Sequence, residues 1–182
     1  MKRLKIDSAR HASYRSFEKL YASSFPIFEQ RTQTQQDAAF GCERYNLTGY
    51  EDNGVFIGFI SYWEFDDYIY IEHFAVDTDS RGKGYGSKIL QSFVEATDKI
   101  VLLEIDPVTD EISEARLRFY LKCGFKENPY RHLHPAYRNE YRAHRLTVLT
   151  TPRQITEREY RIFDRDLRRT VMGKNGKYPP IP

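Results

Sequence analysis

The order of hydrophobic and polar residues follows two different periods along this chain. Three runs of β-forming residues, separated by turn residues, cover 45–50, 55–65 and 68–76. Asn53-Gly54 separates the first two runs, and this dipeptide between such runs is a strong hairpin signal. The pattern therefore predicts an antiparallel meander of three strands.

After residue 76 the period changes to that of helices. Apolar residues recur at helical spacing over 89–94 and again over 112–121, and Ile100–Ile105 between them is a compact apolar run typical of a strand. Gly124 stands where a left-handed residue is expected to end the second helix. A strand, a helix and a second strand in this order require parallel pairing, so we expect a mixed sheet.

Weaker signals complete the predicted elements. A short first strand is expected over residues 3–6, helices over 11–21 and 32–40, and a last strand over 146–149. Together with the stronger signals, these elements predict an α+β fold.

The end of the chain has its own pattern. Thr156 and Glu159 form a capping box, flanked by Ile155 and Tyr160 in the positions of a hydrophobic staple. One apolar stripe follows, formed by Tyr160, Phe163, Leu167 and Val171. We therefore expect a domain over residues 1–152 and, over 153–182, an amphipathic helix outside the core of that domain, with a flexible tail from residue 175.

Composition and charge narrow the class of protein. The chain has 182 residues, of which 40% are hydrophobic and 30% charged, which is typical of a folded globular domain. Its net charge of +2 provides no general attraction to nucleic acid. The longest apolar run, 55–63, is about half as long as a membrane helix needs. Cys42 and Cys123 have no metal-binding spacing and no signal peptide is evident, so we expect a cytoplasmic protein with free thiols.

A glycine-rich turn stands between the third β run and the helix that follows it. The segment reads Arg81-Gly82-Lys83-Gly84-Tyr85-Gly86. Its glycines leave backbone N–H groups accessible, and the helix N-terminus adds positive partial charge, so the turn suits a pyrophosphate. Arg81, Lys83 and Lys88 add formal charge. The glycine spacing matches neither a P-loop nor a dinucleotide fingerprint.

A second block lies downstream of this turn. Residues 115–125 form a predicted helix that contains Tyr120 and ends in Gly-Phe. The glycine-rich turn is the first block, and in it Arg81, Gly84 and Gly86 fit the pattern Arg/Gln-x-x-Gly-x-Gly/Ala. The two blocks, and the order of the elements from about residue 3 to residue 150, resemble the GNAT superfamily of N-acetyltransferases.

This resemblance implies the architecture and the donor site. The sheet would have seven strands, mixed and mostly antiparallel, with helices on both faces and a splay between its fourth and fifth strands. Acetyl-CoA would lie in the splay, with its pantetheine arm against backbone groups of Phe74 and Val76. Its pyrophosphate would rest on the turn formed by Arg81, Gly82, Lys83, Gly84, Tyr85, Gly86, Ser87 and Lys88. The asparagine that the family often carries before the second-block tyrosine is absent, and Ser113 is expected to replace it.

The resemblance also implies acetyl transfer to a primary amine by direct attack in a ternary complex. Tyr120 would assist the thiolate leaving group, by a hydrogen bond or by proton transfer. An alkyl ammonium has a pKa of ~10.4, so the acceptor is mostly protonated at pH 7 and a general base would help.

Two glutamates are candidates for this base. Glu104 interrupts the apolar fifth strand, where a buried carboxylate is costly without a task or a partner. Glu72 lies on the fourth strand, and strict alternation places it on the same face as Phe74 and Val76. Both could instead be structural partners of other side chains, for which the candidates are Arg116, Arg118 and His73.

Several alternatives stay open at this point. The protein could bind acyl-CoA as a sensor or interaction module without turnover, and its basic last helix could bind nucleic acid, although i,i+4 ion pairs on a solvated face explain that helix better. The segment 130–138 is either an acceptor contact or a packed aromatic loop. Its His-x-His has no evident third ligand, so no metal is expected. The partners expected are acetyl-CoA and an unidentified amine, and a homodimer is compatible with the sequence.

Overall fold

The computed structural model describes residues 1–173 of the chain. Within this range, the strands are β1 (Lys2–Lys5), β2 (Tyr45–Asp52), β3 (Val55–Glu64), β4 (Tyr68–Val76), β5 (Ile100–Ile105), β6 (Lys126–Glu127), β7 (His132–His134) and β8 (His144–Thr151). The helices are α1 (Tyr14–Ser24), α2 (Gln33–Phe40), α3 (Tyr85–Val94), α4 (Glu111–Lys122) and α5 (Glu157–Asp166). The tail expected from residue 175 lies outside the described residues.

The strands form one mixed sheet. Its order is β1-β2-β3-β4-β5-β8-β6, and β7 pairs with β8 outside this path. The pairs within β1 to β4 are antiparallel, as are those that β8 makes, whereas β4 and β5 are parallel. The predicted α+β class with a mostly antiparallel sheet is confirmed. The described chain has eight strands rather than seven, because the short segment β7 also pairs along β8.

The predicted splay lies between β4 and β5. The two strands pair only from Tyr68 opposite Ile100 to Ile71 opposite Leu103. Beyond these pairs, β4 continues to Val76 without a partner on this side, and the strands diverge. The parallel junction therefore opens a wedge in the middle of the sheet.

The last helix completes the core instead of lying outside it. The predicted capping box is present, since the Thr156 side chain accepts a hydrogen bond from the backbone N–H of Glu159. The residues of the predicted stripe, which continues into a π-helical turn over 167–171, are buried in the same cluster as Tyr68, Tyr70 and Leu102 of the sheet. The expectation of a helix outside the core is thus corrected, because its apolar stripe covers one face of the sheet. The domain boundary after residue 152 stays a prediction.

A β-bulge in β4 changes which side chains face the splay. Ser61 of β3 pairs with His73, but the next residue, Tyr62, pairs with Ile71, so Glu72 is the extra residue. As a result, Glu72 and His73 both point to the face covered by α1, where His73 contacts the Tyr21 ring. Their neighbour Phe74 points to the opposite face.

The bulge corrects one prediction made from strict alternation. Phe74 stacks on Phe119 of α4, and Phe74 and Val76 belong to the cluster on the α3 and α4 face. Glu72 therefore lies on the face opposite to Phe74 and Val76, because one extra residue inverts the alternation between them.

Candidate active site

A cleft of about 890 Å³ opens where β4 and β5 separate. The ends of these strands form its centre, the glycine-rich turn and α4 form one end, and the segment after α1 forms the other. The cleft therefore connects the predicted anion site with a second region on the far side of the splay.

The glycine-rich turn has the geometry of an anion site. Gly82 and Gly84 adopt left-handed φ values of 73° and 79°, and Gly84 directly precedes the first residue of α3. Within residues 1–173, the backbone N–H groups of 82–87 have no hydrogen-bond acceptor, and the first bond of the helix runs from Lys88 N–H to the Gly84 carbonyl. Free N–H groups at a helix N-terminus are a suitable cradle for phosphate oxygens.

Neighbouring side chains hold this turn in place. The Tyr85 hydroxyl donates to Asp52 at 2.7 Å, and Arg81 Nε donates to the Val76 carbonyl at 3.3 Å. Of the predicted cofactor contacts, those that line the cleft are Phe74, Val76, Arg81, Gly82, Gly84, Tyr85, Gly86 and Ser87. Lys83 and Lys88 lie outside the lining.

Ser113 serves the helix rather than the cleft. It closes a capping box with Asp110 at the start of α4, in which the Ser113 N–H donates to the Asp110 carboxylate at 2.7 Å. The Ser113 hydroxyl also accepts from the Thr109 N–H at 3.0 Å. These bonds occupy the hydroxyl, and Ser113 is not part of the cleft lining, so the structure shows a capping role for Ser113, and its contact with the cofactor stays a prediction.

Tyr120 reaches the cleft from α4. It is 9% exposed, and burial raises the pKa of its hydroxyl to about 12. Its ring is held edge-on by Phe119 and Phe125. Among residues 1–173, no hydrogen-bond partner is present for its hydroxyl. A positioned phenol that stays protonated at pH 7 and has an unused donor suits a leaving thiolate.

The Glu72 carboxylate accepts hydrogen bonds from three different side chains. Its carboxylate is fully buried, pairs with Arg31 at 2.6 Å, and accepts from Trp63 Nε1 at 2.8 Å and from the Tyr137 hydroxyl at 2.9 Å. Burial raises the pKa of Glu72, but Arg31 and the other partners outweigh burial and lower it. Its partners are thus mainly Arg31, Trp63 and Tyr137, and not the arginines considered from the sequence.

Glu104 is enclosed by a second network. It accepts from the Tyr70 hydroxyl at 2.5 Å and from His132 Nε2, and His134 Nε2 lies 3.8 Å from it. Burial raises the pKa of Glu104, but the two histidines and Tyr70 lower it to about 2. Burial lowers the pKa of His134 to about 4, so this imidazole is neutral at pH 7.

The segment 130–138 therefore contributes partners to Glu104. His132 and His134 lie on β7 and are 1% and 2% exposed. His132 packs against Tyr160 and Phe163 of α5, whereas His134 packs against Tyr137 and His144. This arrangement matches the packed-loop alternative for His132, while His134 also lines the cleft. Within residues 1–173 no cluster of three potential metal ligands occurs.

Sequence reasoning missed one carboxylate at the far end of the cleft. Glu29 lies on the 3-10 turn Ile27–Glu29, which follows α1 and lines the cleft. The break at Ser24-Phe25-Pro26 was the available signal, because it predicts an irregular segment between two helices. Which side of the sheet that segment reaches is decided by tertiary packing.

The splayed mixed sheet and the anion-binding turn at its edge define a GNAT-type acyltransferase fold. The chain belongs to this family, since residues 12–125 match the model described as Acetyltransferase (GNAT) family. Acetyl-CoA-dependent acetyl transfer is the general reaction of the family. The resemblance found in the two sequence blocks is thereby confirmed.

Individual proteins show the same similarity. A solved structure named "Putative acetyltransferase from GNAT family" from Bacteroides thetaiotaomicron superposes with a TM-score of 0.88 at 25% identity, over 95% of this chain and 99% of that one. The Bacillus subtilis (strain 168) protein "Putative acetyltransferase YjbC" is 34% identical over 112 residues, which are 60% of this chain and only 56% of that protein. A Bacillus subtilis acetyltransferase in complex with CoA has a TM-score of 0.58 at 16% identity, over 82% of this chain and 96% of that one.

The helices of residues 1–173 include none that is both long enough and apolar enough to span a membrane.

Proposed function

We propose that this protein is an acetyl-CoA-dependent N-acetyltransferase that transfers the acetyl group directly to a primary amine in a ternary complex. One observation carries the proposal: a single cleft joins a turn with free N–H groups to an unpaired strand edge and a buried tyrosine. These are the parts needed to bind the donor diphosphate, to align the thioester and to assist the thiolate.

The donor is proposed to bind along the splay. Beyond Ile71, the edge of β4 that faces β5 has no strand partner, so an extended pantetheine arm can pair with backbone groups of Phe74 and Val76. The pyrophosphate then reaches the N–H groups at the start of α3. The GNAT neighbour solved with CoA supports this choice of donor.

The space on both sides of the splay supports direct attack. Donor and acceptor can occupy the cleft together, which makes the transfer effectively intramolecular. The C–N bond forms as the amine lone pair attacks the thioester carbonyl carbon, and the C–S bond breaks as the sulfur accepts a hydrogen bond or a proton from Tyr120. Free phenol and thiol have pKa values of ~10 and ~8.5, so hydrogen-bond assistance is as well supported as full proton transfer.

The acceptor is proposed to be a cationic amine. The far end of the cleft combines the carboxyl group of Glu29 with the aromatic rings of Phe25 and Phe28, while the neighbouring Asp106 pairs with Arg116. Such a site suits an ammonium group by charge and by cation–π contact. Two proteins of this fold are named as a spermidine N-acetyltransferase and a ribosomal-protein-S18-alanine N-acetyltransferase, which are useful guides for choosing probes.

The test is acetyl-CoA turnover with a panel of spermidine, benzylamine, a peptide that begins with alanine, and a lysine peptide with a blocked N-terminus. Release of free CoA thiol that depends on one of these amines is expected. Binding of acetyl-CoA without amine-dependent release would contradict the proposal and favour the sensor or interaction module. The nucleic-acid alternative has little support, because Arg161 and Arg168 of the last helix pair with Glu157 and Asp164.

Replacing Tyr120 with phenylalanine is expected to lower kcat by ~10²-fold or less and to leave acetyl-CoA affinity nearly unchanged. The ring and its packing are retained, and only the hydroxyl donor is lost. The measurement is steady-state turnover with the fastest amine of the panel, together with calorimetry of acetyl-CoA binding. Unchanged kcat would show that Tyr120 has only a structural role.

A further inference from the structure

Glu29 is fixed by its backbone while its carboxylate stays free. Its carbonyl oxygen accepts a hydrogen bond from His73 Nε2 at 3.0 Å, and since a carbonyl only accepts, this nitrogen carries the proton. The Tyr21 hydroxyl also donates to this carbonyl, at 3.5 Å. These contacts tie the 3-10 turn to β4 and to α1, so the side chain projects from a defined point at the cleft.

The other acidic groups that line the cleft already have partners. Glu72 pairs with Arg31, Glu104 accepts from Tyr70 and His132, and Asp106 pairs with Arg116 at 2.5 Å. Within residues 1–173, the Glu29 carboxylate has no hydrogen bond and no ion pair. It is therefore the cleft carboxylate whose lone pairs are available to a bound molecule.

The surroundings of Glu29 favour a carboxyl group that can exchange a proton near neutral pH. Burial and, to a smaller extent, the charge of Asp106 raise its pKa to about 7, against the opposing charge of Arg116. The other titratable and charged groups packed nearby are His73 at its carbonyl, His144 against Phe28, Tyr141 against Phe28, and Arg138, which donates to the Gln30 carbonyl. A general base works best when its pKa lies near the working pH.

We propose that Glu29 is the general base of the reaction and accepts the proton of the acceptor amine. This inference rests on the proposed N-acetyltransferase function and adds a catalytic residue to it. Glu104 and Glu72 then act as positioning residues, because their lone pairs already serve the partners that hold the two sides of the splay. Their direct catalytic role remains only a prediction from the sequence.

The proton and electron balance of the step is simple. The acceptor ammonium transfers one proton to the Glu29 carboxylate, and the freed lone pair attacks the carbonyl carbon of acetyl-CoA. The C–N bond forms and the C–S bond breaks. Tyr120 gives its hydroxyl proton to the departing sulfur, and the attacking nitrogen then gives its second proton to the Tyr120 oxygen. The products are therefore an amide and CoA thiol. Glu29 then releases its proton to solvent.

The test compares the pH–rate profiles of wild type and Glu29→Gln from pH 6 to pH 9.5, using the fastest amine of the panel. Glutamine keeps the size of the side chain and removes its basicity. We expect kcat/KM to fall by ~10²-fold near pH 7 and the loss to shrink at higher pH, where more of the amine is unprotonated. The inflection near pH 7 in the wild-type profile should be replaced in the variant by a continuous rise with pH that follows the fraction of unprotonated amine.

Two comparisons make the outcome decisive. Glu18→Gln changes an exposed glutamate of α1 and is expected to retain the wild-type profile. A carboxyl signal that titrates near pH 7 should be present in 13C NMR of wild type and Glu18→Gln and missing from Glu29→Gln. Turnover by Glu29→Gln with a profile parallel to wild type would overturn the role of Glu29 alone. Absence of turnover in wild type with every amine would overturn the proposed function itself.

Discussion

Replacing Gly84 with glutamate is expected to abolish acetyl-CoA binding. Wild type should bind in the micromolar range, which corresponds to roughly −8 kcal/mol. Gly84 has a φ of 79° and caps the helix whose free N–H groups form the anion site. A glutamate there places a negative charge against the diphosphate and strains the backbone that orients the N–H groups. Isothermal calorimetry should detect no heat of binding at concentrations that saturate wild type.

The hairpin glycine between β2 and β3 provides a matched control for strain. Gly54 has a φ of 80° and open space around its Cβ position, as Gly84 does, but it does not line the cleft. Gly54→Glu therefore adds the same charge and the same kind of backbone strain in a neighbouring hairpin that does not contribute to the cleft lining. It should retain binding, and loss of affinity to the same degree in both variants would contradict the role of the turn.

Replacing Arg31 with methionine is expected to lower the free energy of unfolding by about 3–5 kcal/mol. The Arg31 guanidinium donates to Glu72 at 2.6 Å and to the Val171 carbonyl at 2.9 Å, and it packs over the Trp63 ring at 5.4 Å. Removing it leaves the Glu72 carboxylate buried without its counter-charge. Chemical denaturation followed by circular dichroism measures the effect.

Two further variants distinguish the loss of the buried counter-charge of Glu72 from a general loss of packing. Arg161→Met removes a partner from an exposed ion pair with Glu157 and should change stability much less. The double change Arg31→Met with Glu72→Gln should recover part of the loss, because a neutral glutamine needs no buried counter-charge. Equal losses in Arg31→Met and Arg161→Met would show that the buried pair does not hold these segments together.

Features encoded locally could be predicted from the sequence. The hairpin at Asn53-Gly54, the capping box at Thr156 and the glycine turn each depend on residues close together in the chain. The same holds for the parallel junction, because a strand, a helix and a strand in succession leave few ways to pair. These features predicted the fold, which is confirmed, and the proposed donor end of the cleft.

Features that depend on distant contacts could not be predicted. The bulge at Glu72 changes which side chains of β4 lie on each face of the sheet, and no residue type in this segment is a signal for a bulge. The partners of Glu104 come from β7, whose pairing with β8 is set by tertiary packing. The role of Glu29 depends on how an irregular segment folds back over the splay. The acceptor side of the site is therefore the part that required the structure.

The most direct test of the proposed reaction follows the acetyl group itself. The protein is incubated with acetyl-CoA and each amine of the panel, and the masses of the amine and of the intact protein are measured by mass spectrometry. Direct transfer in a ternary complex predicts that one amine gains a single acetyl group while the protein gains none. Acetyl-CoA that stays intact with every amine, or an acetyl group that accumulates on the protein, would contradict this mechanism.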